Sequence, residues 1–398
     1  MKLLKKMPDN VKALGSVSLA NDVASEMIVP LLPAFVTSVL GLGPAFLGTL
    51  EGVAESTASL LKLVSGWYSD RIRKRKALTV VGYGLSNLVR PLIGLATAGW
   101  HVLALRFADR VGKGVRTSPR DALLAATVPE ADRGRAFGYQ RMMDNLGAAI
   151  GPLIASALLW LLASVAEPAR LKTIFLLSII PGLLAIWILV TKVREERIPE
   201  AGEAAPSAPA KPSPLAGGVP TGVFRTYLLA AILFTLGNSS DVFLILRAQD
   251  AGVSLALIPV IWMVLNLVKA LSNTPGGMLS DKIGRRAVIL MGWGLYGLVY
   301  LGFALATKTW HIWALFVVYG LYYGLVEGAE RAYVADLVPE AERGRAYGWF
   351  HLAVGIGALP ASVLFGLLWK WINAPAAFVF GAVMALSATV VFVRAKRA

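Results

Sequence analysis

The sequence predicts an all-α membrane protein with twelve transmembrane helices in two halves of six. Of its 398 residues, 56% are hydrophobic and only 16% are charged, whereas about a quarter of the residues in a soluble domain are charged. Apolar runs of about 20 residues, the length that an α-helix needs to cross a bilayer, recur along the whole chain. Two sequence blocks return about 210 residues later, which indicates a duplicated architecture.

A polar segment divides the apolar spans into two sets. The stretch from Arg194 to Gly222 is rich in Ala, Pro, Glu and Gly, so it cannot bury enough apolar surface to fold alone. We therefore predict an N-terminal half over residues 1–193, a cytoplasmic linker over 194–222 and a C-terminal half over 223–398. The predicted spans are 11–39, 43–68, 77–97, 100–127, 137–164 and 171–192 in the first half, and 223–248, 254–279, 287–307, 310–336, 346–370 and 374–394 in the second.

The basic residues predict how the chain lies in the membrane. The net charge of +15 is concentrated in short loops such as Arg71 to Lys76 and Lys282 to Arg286. These loops alternate with loops that are poor in Lys and Arg, which is the positive-inside pattern of a protein of the cell inner membrane with both termini in the cytoplasm. This distribution explains the charge without nucleic-acid binding, which we do not expect.

Composition also limits the kinds of site that the chain can hold. The sequence has no cysteine, so disulfides, thiolate metal sites and cysteine nucleophiles are excluded. Its three histidines are scattered, and no nucleotide-binding loop or nucleophile elbow is recognisable. We therefore expect no metal, no cofactor and no enzyme activity. The expected partners are the lipid bilayer, protons and a small-molecule substrate, bound by a monomer.

An internal repeat relates the two predicted halves. The segment from Val128 to Gly138 returns as Val338 to Gly348, displaced by 210 residues. A second segment, from Gly66 to Arg71, returns as Gly277 to Lys282 with a displacement of 211 residues. Because both repeats agree on the register, they predict two homologous halves in parallel orientation.

The second repeat carries a family resemblance. The segment Gly277 to Arg286 matches the pattern G-x-x-x-D-[RK]-x-G-[RK]-[RK] throughout, and Gly66 to Arg75 matches it except that Arg73 replaces the second glycine. Over essentially its whole length the chain therefore resembles the major facilitator superfamily, in which this loop is understood to stabilise the outward-facing state. The resemblance implies a gating role for Asp70, Arg71, Asp281 and Lys282.

Two further segments are similar to elements of the proton-coupled exporters of that superfamily. Gly147 to Pro152 has the form G-x-x-x-G-P, whose small residues let helices approach closely and whose proline bends the backbone. The resemblance adds Gly147, Gly151 and Pro152 to the gating residues and favours export. Helix packing alone is the alternative, because G-x-x-x-G is common in membrane helices. Arg110 to Gly114 partly resembles the R-x-x-Q-G element, but Lys113 stands in the place of the glutamine.

Ionisable residues inside the apolar spans are the candidate functional residues, because a charge within a bilayer is costly unless it is paired or lines a hydrated cavity. Acids one turn apart near the middle of helices 1 and 2 are the predicted proton-coupling residues: Asp22, Glu26, Glu51 and Glu55. Each ionisable residue has the alternative interpretation of a structural ion pair, but together they predict a cavity suited to a polar or anionic substrate. The predicted substrate-binding residues are Arg106, Arg110, Lys113, Asp241, Lys269 and Glu327.

These patterns predict a proton-coupled secondary transporter that exports its substrate by alternating access around a central site. One alternative is a proton symporter or a facilitator that takes up a polar solute. A more remote alternative is a membrane enzyme or receptor that has kept the fold. Transport of substrate and proton in opposite directions distinguishes antiport from symport.

The alternation of basic loops gives a prediction for topology. Reporters fused after Arg75, at Glu203 and after Arg397 should all be cytoplasmic, because these positions lie in or beside basic segments. Activity of paired cytoplasmic and periplasmic reporters measures this directly. A periplasmic reporter at Glu203 would contradict the arrangement of two halves with six helices each.

Overall fold

The computed structural model describes residues 7–72, 74–128, 133–195, 222–338 and 343–394. At some positions in these ranges, among them Asp70, Arg71 and Asp281, it describes the backbone but not the side chain. Its helices form twelve rods that run back and forth. They are α1 (Asp9–Val39), α2 (Pro44–Ile72), α3 (Arg75–Leu95), α4 (Gly99–Ala126), α5 (Arg133–Leu161), α6 (Glu167–Lys192), α7 (Val223–Asp250), α8 (Ile258–Ile283), α9 (Arg285–Leu305), α10 (Thr309–Asp336), α11 (Arg343–Trp371) and α12 (Ala374–Arg394).

The all-α, twelve-helix fold class predicted from the sequence is confirmed, but two helices are unusually polar. In the described ranges, ten helices are both long enough and apolar enough to cross a membrane, and α2 and α4 are not among them. These two helices are long enough, with 29 and 28 residues, but each contains several charged residues. Because such helices are costly in contact with lipid, they require protein neighbours, and α2 packs against α4 and α11 while α4 also packs against α3.

Hydrogen bonds show which ends of the helices lie together. Asn10 donates to the hydroxyl of Thr127 at 3.1 Å and to the backbone carbonyl of Arg194 at 3.1 Å. Lys76 donates to the backbone carbonyl of Val190 at 3.0 Å. The start of α1, the start of α3 and the ends of α4 and α6 therefore meet at one end of the bundle, here called the terminal end. The opposite end, where α1 connects to α2, is called the far end.

The first helix of each repeat is interrupted, whereas the predicted spans 11–39 and 223–248 were continuous. The α-helix of α1 ends at Glu26, and a 3₁₀ turn and a π-helical turn follow. Pro30 lies in this irregular part, where it removes a helix hydrogen bond. α7 consists of two α-helices, Val223–Gly237 and Val242–Asp250, and Asp241 lies in the break between them. Irregular backbone at this depth is typical of segments that line a protein-enclosed site.

Two helix pairs join the first six helices to the last six. α2 packs against α11, and α5 packs against α8. Ser56 donates a hydrogen bond to the backbone carbonyl of Gly355 at 2.6 Å, and Ser156 donates one to that of Ala256 at 2.8 Å. Since α2 begins and α5 ends at the far end, these contacts close the bundle from its middle to the far end.

Part of the predicted gating motif lies outside the described residues. α2 and α8 continue to Ile72 and Ile283 rather than ending at 68 and 279. The side chains of Asp70, Arg71 and Asp281 are not described, whereas Lys282 is exposed. The predicted linker, 194–222, falls mostly on residues 196–221, which are also outside the described ranges. The gating role and the domain boundaries therefore stay predictions.

The close approach of α2 and α11 predicts the effect of one methyl group. A Cβ on Gly48 would collide with the backbone carbonyl of Ser362, which cannot move without shifting α11. Gly48→Ala should therefore lower the melting temperature of the purified protein, since overpacking costs about 1–3 kcal/mol. Gly84→Ala is the matched control, because a Cβ there meets nothing within 4 Å. The melting temperature of the control should equal or slightly exceed that of the wild type. Equal melting temperatures for the two variants would contradict this contact.

Candidate functional site

A buried ion network fastens α2, α3 and α4 together. Arg90 on α3 forms a salt bridge of 2.8 Å with Asp109 on α4, and Arg106 lies 3.4 Å from the other oxygen of Asp109. Arg106 also forms a salt bridge of 3.0 Å with Glu51 on α2, and its Nε donates to the same carboxylate at 3.2 Å. All four side chains are buried. Two cations and two carboxylates balance, so the network is neutral, and removing one member would leave a buried charge without its partner.

This network contains one residue that the sequence analysis did not single out. Arg90 is the one charged residue within the predicted span 77–97. A lone arginine in an otherwise apolar span was the available signal, because such a residue requires a buried carboxylate partner. The predicted proton-coupling residue Glu51 and the predicted substrate-binding residue Arg106 are paired with each other in this structure.

Next to the network, further along α2 and α4, lies a group of charges without direct partners, here called the open charge cluster. Its members are Glu55, Lys62, Arg110 and Lys113. Among the described residues, no group of opposite charge lies within salt-bridge distance of any of these four side chains. The positive charges that act most strongly on Glu55 are those of Lys113, Arg110 and Lys62. The cluster therefore has three cations and one carboxylate, and its surplus charge is positive.

Burial and exposure differ within the open charge cluster. The Nε of Arg110 is buried and has no hydrogen-bond partner in the described part of the chain. Glu55 is exposed although it lies near the middle of α2. The arrangement can bind an anion through Arg110 and Lys113, since charge-assisted hydrogen bonds to carboxylate or phosphate are strong.

The two predicted acids of α1 lie directly on the small residues of α5. A Cβ on Gly147 would be 2.8 Å from the Cβ of Asp22, and a Cβ on Gly151 would be 2.9 Å from the Cβ of Glu26. Asp22 accepts a hydrogen bond of 2.8 Å from Asn21. The glycines therefore let α1 and α5 approach at the level of the two acids.

Glu26 also connects the two sets of six helices. The indole N–H of Trp262 on α8 donates to Oε2 of Glu26 at 2.6 Å. The side chain of Trp262 is almost fully buried. A carboxylate at the interruption of α1 is thus tied to the far-end part of α8, which is one of the contacts that hold the far end closed.

Asp241, at the break of α7, is enclosed by hydrogen-bond donors. Lys269 on α8 forms a salt bridge with it at 3.2 Å, and the hydroxyls of Tyr319 and Tyr323 on α10 donate to it at 2.7 and 3.3 Å. The ammonium of Lys269 lies 3.6 Å from the ring centroid of Tyr323, within the range of a cation–π interaction. The predicted substrate-binding residues Asp241 and Lys269 are therefore brought together, and each satisfies the other in this conformation.

Glu327, the remaining predicted substrate-binding residue, lies toward the terminal end. It forms a salt bridge of 3.0 Å with Arg331 on its own helix, and it lies 3.8 Å from Arg141 on α5. Both arginines are more than half exposed, so these pairs contribute little stability. Glu327 is thus separate from the Asp241 group, and its contact with Arg141 joins α10 to α5.

Comparisons with known proteins fit this architecture. The family model of the Major Facilitator Superfamily matches residues 14–268 and 227–398 of the chain. The chain belongs to the major facilitator superfamily. It is therefore a multi-pass membrane transporter and not an enzyme.

Individual relatives of this superfamily member cover 90% or more of its length. An uncharacterized MFS-type transporter of Methanocaldococcus jannaschii is 35% identical, covering 96% of this chain and 94% of that protein. A multi-drug resistance efflux pump of Streptococcus pneumoniae, PmrA, is 22% identical over 90% of both chains. The crystal structure of a mutant of the nucleoside transporter NupG has a TM-score of 0.81 at 12% identity, covering 98% of this chain and 100% of that chain. That structure supports the fold alone.

The contact between Glu26 and Trp262 gives a test of the far-end closure. Trp262→Phe keeps an aromatic ring but removes the indole N–H, so it should lower the melting temperature of the purified transporter. A hydrogen bond of this kind contributes about 1 kcal/mol to stability, and more when the acceptor is charged. Adding Glu26→Leu to this variant should lower the melting temperature less than Glu26→Leu does in the wild type, because the hydrogen bond between the two residues can be lost only once.

Trp160→Phe is the control for the loss of an indole, since Trp160 is 77% exposed. It should leave the melting temperature unchanged. Strictly additive effects of Trp262→Phe and Glu26→Leu would show that the two side chains are not coupled.

Proposed function

We propose that this transporter is a proton-coupled antiporter that exports a polar or anionic small molecule by alternating access. The observation that carries this proposal is the positive surplus of the open charge cluster, in which Arg110, Lys113 and Lys62 face a single carboxylate. An apolar substrate would leave these cations without partners in a weakly polar environment, at a cost of several kcal/mol. A substrate with a carboxylate or phosphate group would offset that cost.

Binding roles within the site follow from which charges already have partners. Arg110 and Lys113 are the proposed substrate-binding residues of α4, because no carboxylate of a described residue lies within salt-bridge distance of either. Arg106 and Glu51 are assigned to positioning, because they are bonded to each other. Asp241 and Lys269 contribute to substrate binding in a conformation in which their salt bridge is exchanged for contacts with the substrate. Glu327 contributes to substrate binding nearer the terminal end.

The proposed coupling residues are Glu55 and Glu26, followed by Asp22. A proton on Glu26 would weaken the hydrogen bond to Trp262 and so change the balance between the closed and open far end. Because this effect acts on conformation rather than on the substrate, proton and substrate can occupy the carrier in separate steps, as antiport requires. The similarity to an efflux pump of Streptococcus pneumoniae over 90% of both chains supports export.

One observation favours proton symport as a second candidate function. Lys113 and Arg110 act on the carboxylate of Glu55, so an ionised Glu55 competes with a substrate anion for them. A proton on Glu55 would remove that competition, and the proton and the anion would then bind together. Antiport assigns the dominant coupling step to Glu26, whereas symport assigns it to Glu55.

The proposed orientation follows from the basic loops. The basic residues at the starts of α3 and α9 lie at the terminal end. The positive-inside rule therefore supports an orientation with this end in the cytoplasm and the protein in the cell inner membrane. A far end that is closed and a central site open to the terminal end then describe a monomeric carrier ready to receive substrate from the cytoplasm.

The experiment has two stages. A thermal-shift screen of the purified protein against organic acids, metal chelates, sugars and cationic drugs should show stabilisation by the organic acids, since a ligand at 100 times its Kd stabilises by about 2.7 kcal/mol. Arg110→Gln should abolish this shift. In proteoliposomes, a pH gradient that is acid inside should then drive uptake of the stabilising acid, because antiport exchanges it for protons.

The matched variants separate binding from coupling. Glu26→Gln should abolish pH-driven flux and leave substrate exchange measurable, whereas Lys172→Gln, on an exposed residue of α6, should change neither. Stabilisation by cationic drugs alone would contradict the substrate class. Uptake driven by a pH gradient that is acid outside would contradict antiport. If Glu55→Gln abolished this uptake, proton symport would be the mechanism.

A further inference from the structure

A cavity of about 770 Å³ lies at the terminal end of the bundle, apart from the open charge cluster. It forms where the start of α1, the end of α6 and the end of α4 meet. Neither the proposed substrate pathway nor the coupling residues use it. Its polar and aromatic lining includes Asn10, Lys12, Thr127, Trp187, Lys192 and Arg194.

Hydrogen bonds from one side chain build the wall of this cavity. The amide of Asn10 donates to Thr127 and to the backbone carbonyl of Arg194, both at 3.1 Å, and its oxygen accepts from the backbone N–H of Arg194 at 2.9 Å. Asn10 is buried. The two bonds to Arg194 hold the chain after α6 against the start of α1, and the bond to Thr127 holds the end of α4 there. The position of Arg194 relative to α1 is therefore a property of the fold.

The lining of the cavity is positively charged. Lys12, Lys192 and Arg194 stand against a single carboxylate, Asp9, which is fully exposed and lies 3.1 Å from Lys12. Among the residues that the structure describes, no carboxylate lies within salt-bridge distance of Lys192 or Arg194. Two basic side chains next to hydroxyl groups are typical of sites that bind phosphate oxygens.

The cavity continues into an apolar surface on α6. Trp187 is 56% exposed at its edge, and tryptophan is enriched where a membrane protein meets the headgroup region. Ile180, Leu183 and Leu184, further along α6, are each about half exposed or more. In a membrane protein such an uncovered apolar face lies against acyl chains. A ligand that fits both parts therefore has an anionic head and apolar tails.

We propose that this cavity binds the headgroup of an anionic phospholipid, with the acyl chains lying along the exposed face of α6. The phosphate of the lipid contacts Lys192 and Arg194, and the charge of Lys12 adds to the positive potential in the cavity. The lipid would then bridge α6 and α1, the helix that carries Asp22 and Glu26. Basic pockets between transmembrane helices at the cytoplasmic side are suited to such headgroups.

Native mass spectrometry of the purified full-length protein tests this proposal with phosphatidylglycerol and phosphatidylcholine as probes. The wild type should retain phosphatidylglycerol in preference to phosphatidylcholine. The double variant Lys192→Gln/Arg194→Gln should lose about 25-fold in affinity for phosphatidylglycerol, since each basic residue near an anionic lipid surface contributes about fivefold. The control Lys172→Gln/Lys370→Gln, which removes two exposed lysines at the far end, should bind like the wild type.

Three outcomes would overturn the proposal. One is equal retention of both lipids by the wild type, a measurement that needs no variant and so does not depend on how the variants fold. Another is undiminished phosphatidylglycerol binding by the double variant. The third is retention of inorganic phosphate by the wild type without retention of phosphatidylglycerol. That result would show a site for a soluble anion.

Discussion

The structure depends on one constraint, that a charge within a bilayer must be paired or hydrated. Arg90, Asp109, Arg106 and Glu51 obey it by pairing in a neutral, buried network. The open charge cluster has no such pairs among the described residues, so the constraint requires that water or a bound ion accompany it. The same constraint explains why α2 and α4, which are too polar to lie in lipid alone, are surrounded by α3 and α11.

A second consequence concerns α8, which touches the interrupted part of both α1 and α7. Trp262 is bonded to Glu26, and Lys269, two turns further on, is bonded to Asp241. Both acids lie where the first helix of a repeat loses its regular backbone. Trp262 and Lys269 are seven residues apart and so lie on the same face of α8. Glu26 and Asp241 therefore have this face as a shared neighbour.

Much of this fold follows from the sequence, because apolar span length, basic loops and an internal repeat each reflect a constraint that acts locally. The placement of acids and bases on α2 and α4 also followed from helical spacing. The interruptions of α1 and α7 did not, since Pro30 can equally bend a continuous helix. Which charges pair was also beyond sequence. Asp109 is one turn from Arg106 and was a visible partner, but only the three-dimensional arrangement brings Glu51 and Arg90, on two other helices, to the same two residues.

The network of Arg90, Asp109, Arg106 and Glu51 has a mechanical consequence. Three rods fastened to one another at the same depth lose their independent sliding motions, because any axial shift of one would separate buried opposite charges at a cost of about 3–5 kcal/mol. α2, α3 and α4 would therefore move together as one rigid body. If the three helices turned together about the depth of Glu51, the 29 residues of α2 would convert a small displacement at the far end into a larger, opposite displacement at the terminal end.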